Sequence, residues 1–174
     1  MNDTELRTLI ESTRETKVIP MNVAIAICHQ ESGLNPWAWN PEPGYIYLWD
    51  TKKGEPFRRI TSAEARSSGV PSDFHCLAGD KDQEFWAQRA SWGLMQVMGA
   101  VARQHGFKGG YLTEMLDPAT NIKYGLRHME WLWGRFFSKY GLDGVIAAYN
   151  AGSPRMVGNH FENQSYVDGV KHFF

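Results

Sequence analysis

The stretch AICHQESGLNPWAWN, residues 26–40, carries a single carboxylate, Glu31, at the end of an apolar run. The residues before it, from Met21 onward, are almost all apolar, and Gly33 and Pro36 follow it closely. Most glutamates lie on solvated helix faces, so this setting needs a specific explanation. The pattern predicts a buried helix that stops just after Glu31 and leaves its carboxyl at the edge of a cleft.

The size and charge of the chain limit the kinds of protein it can be. It has 174 residues, with 18 Lys and Arg against 19 Asp and Glu, and a formal net charge of −1. This length suits one compact domain with a sizeable core. The balanced charge predicts neither nucleic acid nor an anionic membrane as a partner. Cys28 and Cys76 are too few for a zinc site or a disulfide framework, and their pairing stays open.

The N-terminus and the hydropathy pattern bear on where the protein is made. The first residues have neither a basic segment nor a long apolar one, and no run elsewhere is long enough to span a membrane. We therefore expect synthesis in the cytoplasm without a signal peptide.

Hydrophobic periodicity predicts a mainly helical chain with one irregular interruption. Helices are predicted over residues 4–16, 20–32, 117–140, 143–151 and 165–173, with a further helical signal from residue 83. The stretch from about residue 37 to 90 is rich in Pro and Gly and predicts a long insertion. Within it, Tyr45–Trp49 predicts one strand of a small hairpin.

Three further stretches place polar side chains at turns or at helix ends. Gln96 follows Gly93 in SWGLMQVM, Asn121 begins the long helix, and Tyr149 and Asn150 precede a glycine in AAYNAG. Each stretch alone is weak, because buried amides and phenols are commonly satisfied core groups. Together with the Glu31 stretch, and in this order, they form a specific signature.

The combined pattern resembles the signature of the soluble lytic transglycosylases, a family that shares its fold with goose-type lysozyme. The matching segments are ESGLNP at 31–36, GLMQ at 93–96, NI at 121–122 with Gly125, AYNAG at 148–152, and ENQSYV at 162–167. The resemblance extends from about Pro20 to the C-terminus. It implies a mainly α, lysozyme-like (α+β) fold in a single domain, residues 1–174, that carries the insertion at about 37–90.

The insertion departs from the usual family pattern, in which the gap between the first two motifs is short. Phage-borne members of the group resemble this chain in carrying such an insertion, and this fits the expected lack of a signal peptide. The resemblance therefore implies an endolysin or a virion-associated lysin that acts on the cell wall, in the host periplasm if the chain is phage-derived.

Glu31 suits the chemistry of this family. Cleavage of a glycosidic bond needs an acid that stays protonated near neutral pH, and burial among apolar side chains such as Ile27 and Cys28 raises a carboxyl pKa. The resemblance implies that Glu31 protonates the bond between N-acetylmuramic acid and N-acetylglucosamine, then acts as base on the C6 hydroxyl that attacks C1. The product is a 1,6-anhydro sugar, and neither a metal nor an organic cofactor is implied. We expect Tyr149 to hydrogen-bond Glu31.

Other residues take roles from their positions in the motifs. Gln96 and Met98 match residues that line the sugar subsites, and Asn40 falls where a relative has a serine near the N-acetyl group. Asn150 is expected, with Tyr149, to orient Glu31 and the substrate. Glu162 matches a carboxylate on the cleft wall, although an exposed charge before a helix is an equal interpretation.

The aromatic residues of the insertion allow a further prediction. Tyr45 and Tyr47 alternate with Ile46 and Leu48, so on a strand both phenols would share one face. We expect the apolar pair to pack inward and Tyr45 or Tyr47 to contact substrate, with the insertion as a lip of the groove. Trp37 and Trp39 are expected to form a small satellite core.

Three alternatives stay open at this stage. If Asp50, Glu55 or another acid lies across from Glu31, it could activate water and make the protein a muramidase on the same fold. The chain could also be a virion or cell-wall-binding protein that holds glycan without cutting it. A metal site is weaker, since His29 and Glu31 face different ways and His75–Cys76 lacks partners at ligand spacing. The expected partner is peptidoglycan, bound by a monomer.

Overall fold

The computed structural model describes all 174 residues, and helices dominate it. The α-helices are α1 (Asp3–Thr13), α2 (Met21–Ser32), α3 (Ser62–Arg66), α4 (Lys81–Gln88), α5 (Gly99–Gln104), α6 (Pro118–Ala151) and α7 (Gln164–Lys171), with a 3-10 helix over Leu112–Leu116. The β-strands are β1 (Trp39–Pro41), β2 (Trp49–Asp50), β3 (Glu55–Pro56), β4 (Ala90–Trp92), β5 (Val97–Met98), β6 (Met156–Val157) and β7 (His160–Phe161). Mostly helical structure with small antiparallel sheets confirms the predicted lysozyme-like α+β fold.

Helix α2 lies at the centre of the main core. All six residues of Val23–Cys28 are buried, so the helix is apolar on every side and packs against α1 and α7. Gly33 ends it with a φ of 57°, a left-handed conformation that glycine adopts without steric cost. The predicted helix over residues 20–32 is therefore confirmed, and its last turn carries Glu31.

Helix α6 contains a break that the sequence predicts. Gly141, with φ 63° and ψ −165°, is not helical and separates the long first segment from a short second one. The second segment buries Gly144 to Ala148 and carries Tyr149 and Asn150 at its end. The two predicted helices, 117–140 and 143–151, thus meet at a kink that brings the AYNAG motif back towards α2.

A three-stranded antiparallel sheet, in the order β1-β4-β5, forms a wall beside these helices. Its register pairs Asn40 with Ser91 and Ser91 with Met98, so these three side chains share one face. On the opposite face Trp92 is buried in the core. One face of this sheet is therefore free to form a site.

The insertion has its own small core, but not the predicted one. Its buried cluster consists of Leu48, Ile60, Phe74 and Phe85. Trp37 and Trp39, expected in a satellite core, are instead 72% and 56% exposed. Trp37 lies in the turn between α2 and β1, and Trp39 begins β1, where its ring centroid is 6.1 Å from that of Trp92.

The predicted hairpin exists at a shifted position. Only Trp49–Asp50 is a strand, paired with Glu55–Pro56, and residues 45–48 are not part of a sheet. The inward packing expected for the apolar pair is confirmed, since Leu48 belongs to the insertion core and Ile46 packs against it. The Tyr45 and Tyr47 rings lie 5.9 Å apart in one cavity, although Ile46 lines that cavity too and Tyr45 also packs against the core.

The structure also bears on cysteine pairing and on membrane-spanning helices. Cys28 is buried, Cys76 is partly exposed, and both are free thiols. The structure contains no helix with the length and apolar character needed to cross a membrane.

Candidate active site

Glu31 occupies the last turn of α2, next to a wall of apolar side chains. Ile27 and Cys28, about one turn earlier, are completely buried, and the carboxyl lines a cavity of about 630 Å³. Burial raises the pKa of Glu31 from 4.5 to about 7, because desolvation outweighs a hydrogen bond that favours the carboxylate. A large fraction of the molecules therefore carries a protonated acid near neutral pH.

Tyr166, not Tyr149, is the hydrogen-bond partner of Glu31. The Tyr166 hydroxyl, on α7, donates to Oε1 of Glu31. The Tyr149 hydroxyl donates instead to the main-chain oxygen of Met95, at 2.7 Å. The expected bond between Tyr149 and Glu31 is therefore wrong. Tyr149 still lies near the acid, whose charge, together with burial, raises the pKa of the phenol.

The sequence signal for Tyr166 lies in the terminal motif, ENQSYV. The Tyr-Val pair of the terminal motif places Tyr166 in the signature, but no role follows from the letters alone. Residue 166 is 135 positions from Glu31, and only the packing of α7 against α2 brings the two side chains together.

The GLMQ turn follows β4 and faces α2. Ser32 Oγ donates to the Leu94 oxygen at 2.8 Å, which joins the turn to the acid's helix. Gln96 has a φ of 45°, a strained conformation for a residue with a side chain. Its Nε2 donates to the Ala38 and Gly93 oxygens, at 3.2 and 2.9 Å, so its amide holds the turn and β1 together.

Asn121 holds the GLMQ turn in place through three hydrogen bonds to main-chain groups. Its side chain is completely buried, accepts from the Met95 N–H at 2.8 Å, and donates to the Trp92 and Met115 oxygens at 2.7 and 3.1 Å. Gly93 must be a glycine here, since an added Cβ would come within 2.5 Å of the Asn121 amide nitrogen.

We expect Asn121→Ala to lower the free energy of unfolding by about 3 kcal/mol, because it leaves three buried main-chain groups without partners. Urea unfolding measures the change. Asn159→Ala, at an exposed asparagine between β6 and β7, is the control and should have little effect. Equal stability of the two variants would contradict this role of Asn121.

The cavity around Glu31 is one part of a longer cleft. We call the 630 Å³ cavity that contains Glu31 the acid compartment, and an adjoining cavity of about 600 Å³ the lip compartment. Six residues line both: Glu42, Tyr45, Gln96, Met98, Tyr149 and Asn150. The shared residues place the two compartments side by side.

Most of the predicted site residues meet in this cleft. Asn40 lines the acid compartment, and its Nδ2 donates to Glu42 Oε1 at 2.6 Å. Tyr47 lines the lip compartment and is 61% exposed. Glu162 does not join them, because it lines neither compartment and lies 3.5 Å from Arg155 on the exposed surface.

The second acid in the cleft is Glu42, which the sequence did not single out. Asp50 is buried elsewhere, where it accepts from the N–H groups of Lys52 and Lys53, and Glu55 lies on the exposed hairpin. Neither lines the acid compartment. No group of three or more His, Cys, Asp or Glu side chains is placed to hold a metal ion.

The lip compartment is nearly uncharged. Glu42 is its only acidic residue, and no Lys or Arg lines it. His128 lines it as well, but burial lowers the pKa of this imidazole to about 3, so it is neutral at pH 7. Tyr47 and Trp131 offer partly exposed aromatic rings.

A mainly helical domain with a buried, high-pKa carboxyl in a long cleft lined by aromatic and amide side chains defines the class of lysozyme-like proteins that act on glycans. Within this class the chain belongs to the transglycosylase SLT domain family, whose pattern it matches over residues 8–172. Membership confirms the resemblance and indicates peptidoglycan as substrate. Neither a curated protein nor a solved structure matches the chain significantly.

Proposed function

We propose that this protein is a lytic transglycosylase that cleaves the β-1,4 bond between N-acetylmuramic acid and N-acetylglucosamine and leaves a 1,6-anhydromuramoyl end. The observation that supports this best is the buried carboxyl of Glu31, whose pKa burial raises to about 7, beside adjoining cavities of about 630 and 600 Å³. A group with this pKa can donate a proton and take one back at the same pH.

In the proposed reaction Glu31 acts twice. Its proton passes to the bridging oxygen as the C1–O bond breaks, which releases the N-acetylglucosamine portion with a free hydroxyl. The Glu31 carboxylate then removes the proton from the C6 hydroxyl of the muramoyl residue while that oxygen bonds to C1. Both reacting groups belong to one sugar, so the ring closes without an ordered water. Glu31 ends the cycle protonated.

Glu42 supports a second candidate, a muramidase on the same fold. Its carboxylate lines the acid compartment with Glu31, and in glycosidases a second carboxylate can activate water. Asn40 already donates to one Glu42 oxygen, and this contact orients the group.

Mass spectrometry of digested peptidoglycan separates the candidates. The anhydro product is lighter than the hydrolytic product by one water, and we expect the anhydro form. A reducing-end product that is lost in Glu42→Gln would establish the muramidase instead. Binding to peptidoglycan without any product would establish a wall-binding protein.

We further propose that the lip compartment binds the glycan beyond the scissile bond. Walls with Glu42 as their single acidic residue suit uncharged N-acetylated sugars, and the exposed ring of Tyr47 can contact sugar rings. Asn150 and Met98 line both compartments and would contact the strand as it passes from one to the other. Gln96 Nε2 already donates two hydrogen bonds, so we assign it the role of shaping the wall.

The double variant Tyr45→Ala, Tyr47→Ala is expected to weaken binding of a chitooligosaccharide by about tenfold or more, on the scale of one or two lost aromatic contacts. Calorimetric titration measures the affinity after equal melting temperatures have been verified. The matched control, Trp37→Ala with Trp39→Ala, removes two exposed aromatic side chains that line neither compartment. Equal affinity of both double variants would show that the tyrosines only pack.

The proposed biological setting rests on the insertion, which resembles the one carried by phage-borne members of the family. We propose an endolysin or virion-associated lysin that works on the bacterial wall as a monomer. Light scattering tests the monomer, and lysis of outer-membrane-permeabilised cells tests action on the wall.

A further inference from the structure

The segment over residues 42–47, here called the lip segment, forms one side of the cleft without belonging to a sheet. It contributes Glu42 and Tyr45 to both compartments and Tyr47 to the lip compartment. Only its first residue, Glu42, continues the main-chain pairing of β1 with the chain before β4, so other groups must fix the rest of the segment. The carbonyl oxygens of the segment show which groups these are.

A single buried arginine binds these carbonyls. Arg89 is 1% exposed, and its Nη2 donates to the main-chain oxygens of Pro43 and, at 2.8 Å, Ala65. Its Nε donates to the Tyr45 oxygen at 3.2 Å. The Arg89 main chain adds a further contact, since its oxygen accepts from the Glu42 N–H at 2.7 Å.

Neighbouring contacts fix the guanidinium itself. It lies 5.0 and 4.7 Å from the ring centroids of Phe85 and Trp86, both on α4. Gln88, the preceding residue, exchanges two hydrogen bonds with the main chain of Trp49, at 2.8 and 3.0 Å. The residues at the end of α4 therefore hold the lip segment at Glu42, Pro43 and Tyr45, and hold the chain just after it at Trp49.

We propose that Arg89 is a positioning residue for substrate binding: it holds the lip segment so that Glu42 and Tyr45 form the wall of the cleft. This inference rests on the proposed glycan-binding function of the same cleft. An arginine suits the task because its planar group offers several donors to separate carbonyls at once, which a lysine cannot reproduce.

The chemical step should not depend on this contact. Glu31 lies on α2 and its partner Tyr166 on α7, and Arg89 bonds to neither helix. Loss of the guanidinium should therefore raise KM and leave kcat close to that of the parent. A residue needed only for general stability would not separate the two constants in this way.

The test compares Arg89→Lys with Arg58→Met. Lysine keeps the buried positive charge but offers one nitrogen in place of the two, Nε and Nη2, that donate to the carbonyls. Arg58 is the matched control, because it also binds insertion groups, Glu64 and Asp73, but lines neither compartment of the cleft. Calorimetric titration with chitohexaose gives affinity, and cleavage of purified glycan strands gives kcat and KM.

We expect Arg89→Lys to bind chitohexaose about tenfold more weakly, with kcat within about twofold of the parent, and Arg58→Met to bind normally. In a protein that already carries Tyr45→Ala and Tyr47→Ala, Arg89→Lys should add less than half of that loss, because both changes remove the same wall.

Parent-like affinity, fully additive losses, a fall in kcat without a change in KM, or failure of the lysine variant to fold would each overturn the proposal. A parent that binds chitohexaose but yields no cleaved glycan would refute the proposed function and leave the positioning of the lip segment testable by affinity alone.

Discussion

Glu31→Gln should reduce turnover by at least about 100-fold, the usual contribution of a general acid. Glutamine has nearly the same shape as glutamate, and its amide oxygen can still accept the hydrogen bond from Tyr166. It cannot donate an acidic proton to a leaving oxygen, and it cannot take a proton from the C6 hydroxyl. Turnover per bound complex is the quantity to measure, with chitooligosaccharide affinity as the control for an intact cleft. Residual turnover above one hundredth of the parent value would exclude Glu31 as the acid.

The same substitution should stabilise the protein at high pH. Because the pKa of Glu31 is about 7 in the folded state against 4.5 for the free group, the folded protein holds a proton that the unfolded chain loses between these values. Stability therefore falls as the pH rises from 4.5 towards 7, and the full cost above pH 7 is about 3 kcal/mol. Glutamine does not titrate and avoids this cost.

Urea unfolding at pH 4 and pH 8 measures this effect. The parent and Glu31→Gln should differ little at pH 4, where the parent carboxyl is protonated in both states. At pH 8 the variant should be the more stable. A protein that gains stability by losing its acid shows that the burial of Glu31 serves activity rather than folding. If the parent and Glu31→Gln had the same free energy of unfolding at pH 4 and also at pH 8, the pKa of Glu31 would not be raised.

The parts of the fold that could be predicted are those with strong local signals. A helix as apolar as α2 can only be buried, and Gly33 defines its end, so the placement of Glu31 follows from a short stretch of sequence. The break in α6 likewise follows from Gly141. The GLMQ motif begins at Gly93 and the AYNAG motif ends at Gly152, and both glycines have a positive φ. The polar side chains of the two motifs, Gln96, Tyr149 and Asn150, line one cleft.

The insertion could not be predicted to the same depth. Its conformation depends on distant partners, above all Arg89, which binds the oxygens of Pro43 and Tyr45 from more than 40 positions away. Alternation of apolar and aromatic residues indicates a strand only where a neighbouring strand is present, and Tyr45 has none. The exposure of Trp37 likewise depends on how distant segments pack around it, which its neighbours in the sequence do not specify.

The hydrogen-bond partner of Glu31 also could not be predicted from the sequence. Tyr149 and Tyr166 both approach the acid from other helices, and the sequence does not specify which hydroxyl points at the carboxyl. In the structure the Tyr149 hydroxyl donates to the Met95 oxygen, and the Tyr166 hydroxyl donates to the Glu31 carboxyl. The two tyrosines can be separated by experiment, because only one of them acts on the pKa of the acid.

Tyr166→Phe should move the alkaline limb of the pH profile of kcat/KM to higher pH. The Tyr166 hydroxyl donates to the Glu31 carboxylate, favours its charged form and so lowers its pKa, while burial raises that pKa to about 7. Without the hydroxyl only burial remains, and the pKa must rise further. Since Glu31 must be protonated when it first meets the substrate, activity falls off at a higher pH than in the parent. Turnover on the plateau should also fall by about tenfold, because the carboxyl loses the contact that orients it.

Tyr149→Phe is the matched control, with the same atom removed from the neighbouring phenol. It should lower turnover more than binding, because it releases the Met95 oxygen and disturbs the GLMQ turn, but its alkaline limb should stay where the parent has it. Full pH profiles of both variants, with melting temperatures measured at each pH, make the comparison. If Tyr149→Phe moves the limb and Tyr166→Phe does not, the hydroxyl that sets the pKa of Glu31 during the reaction is that of Tyr149, and the contact between Tyr166 and the acid has no part in catalysis.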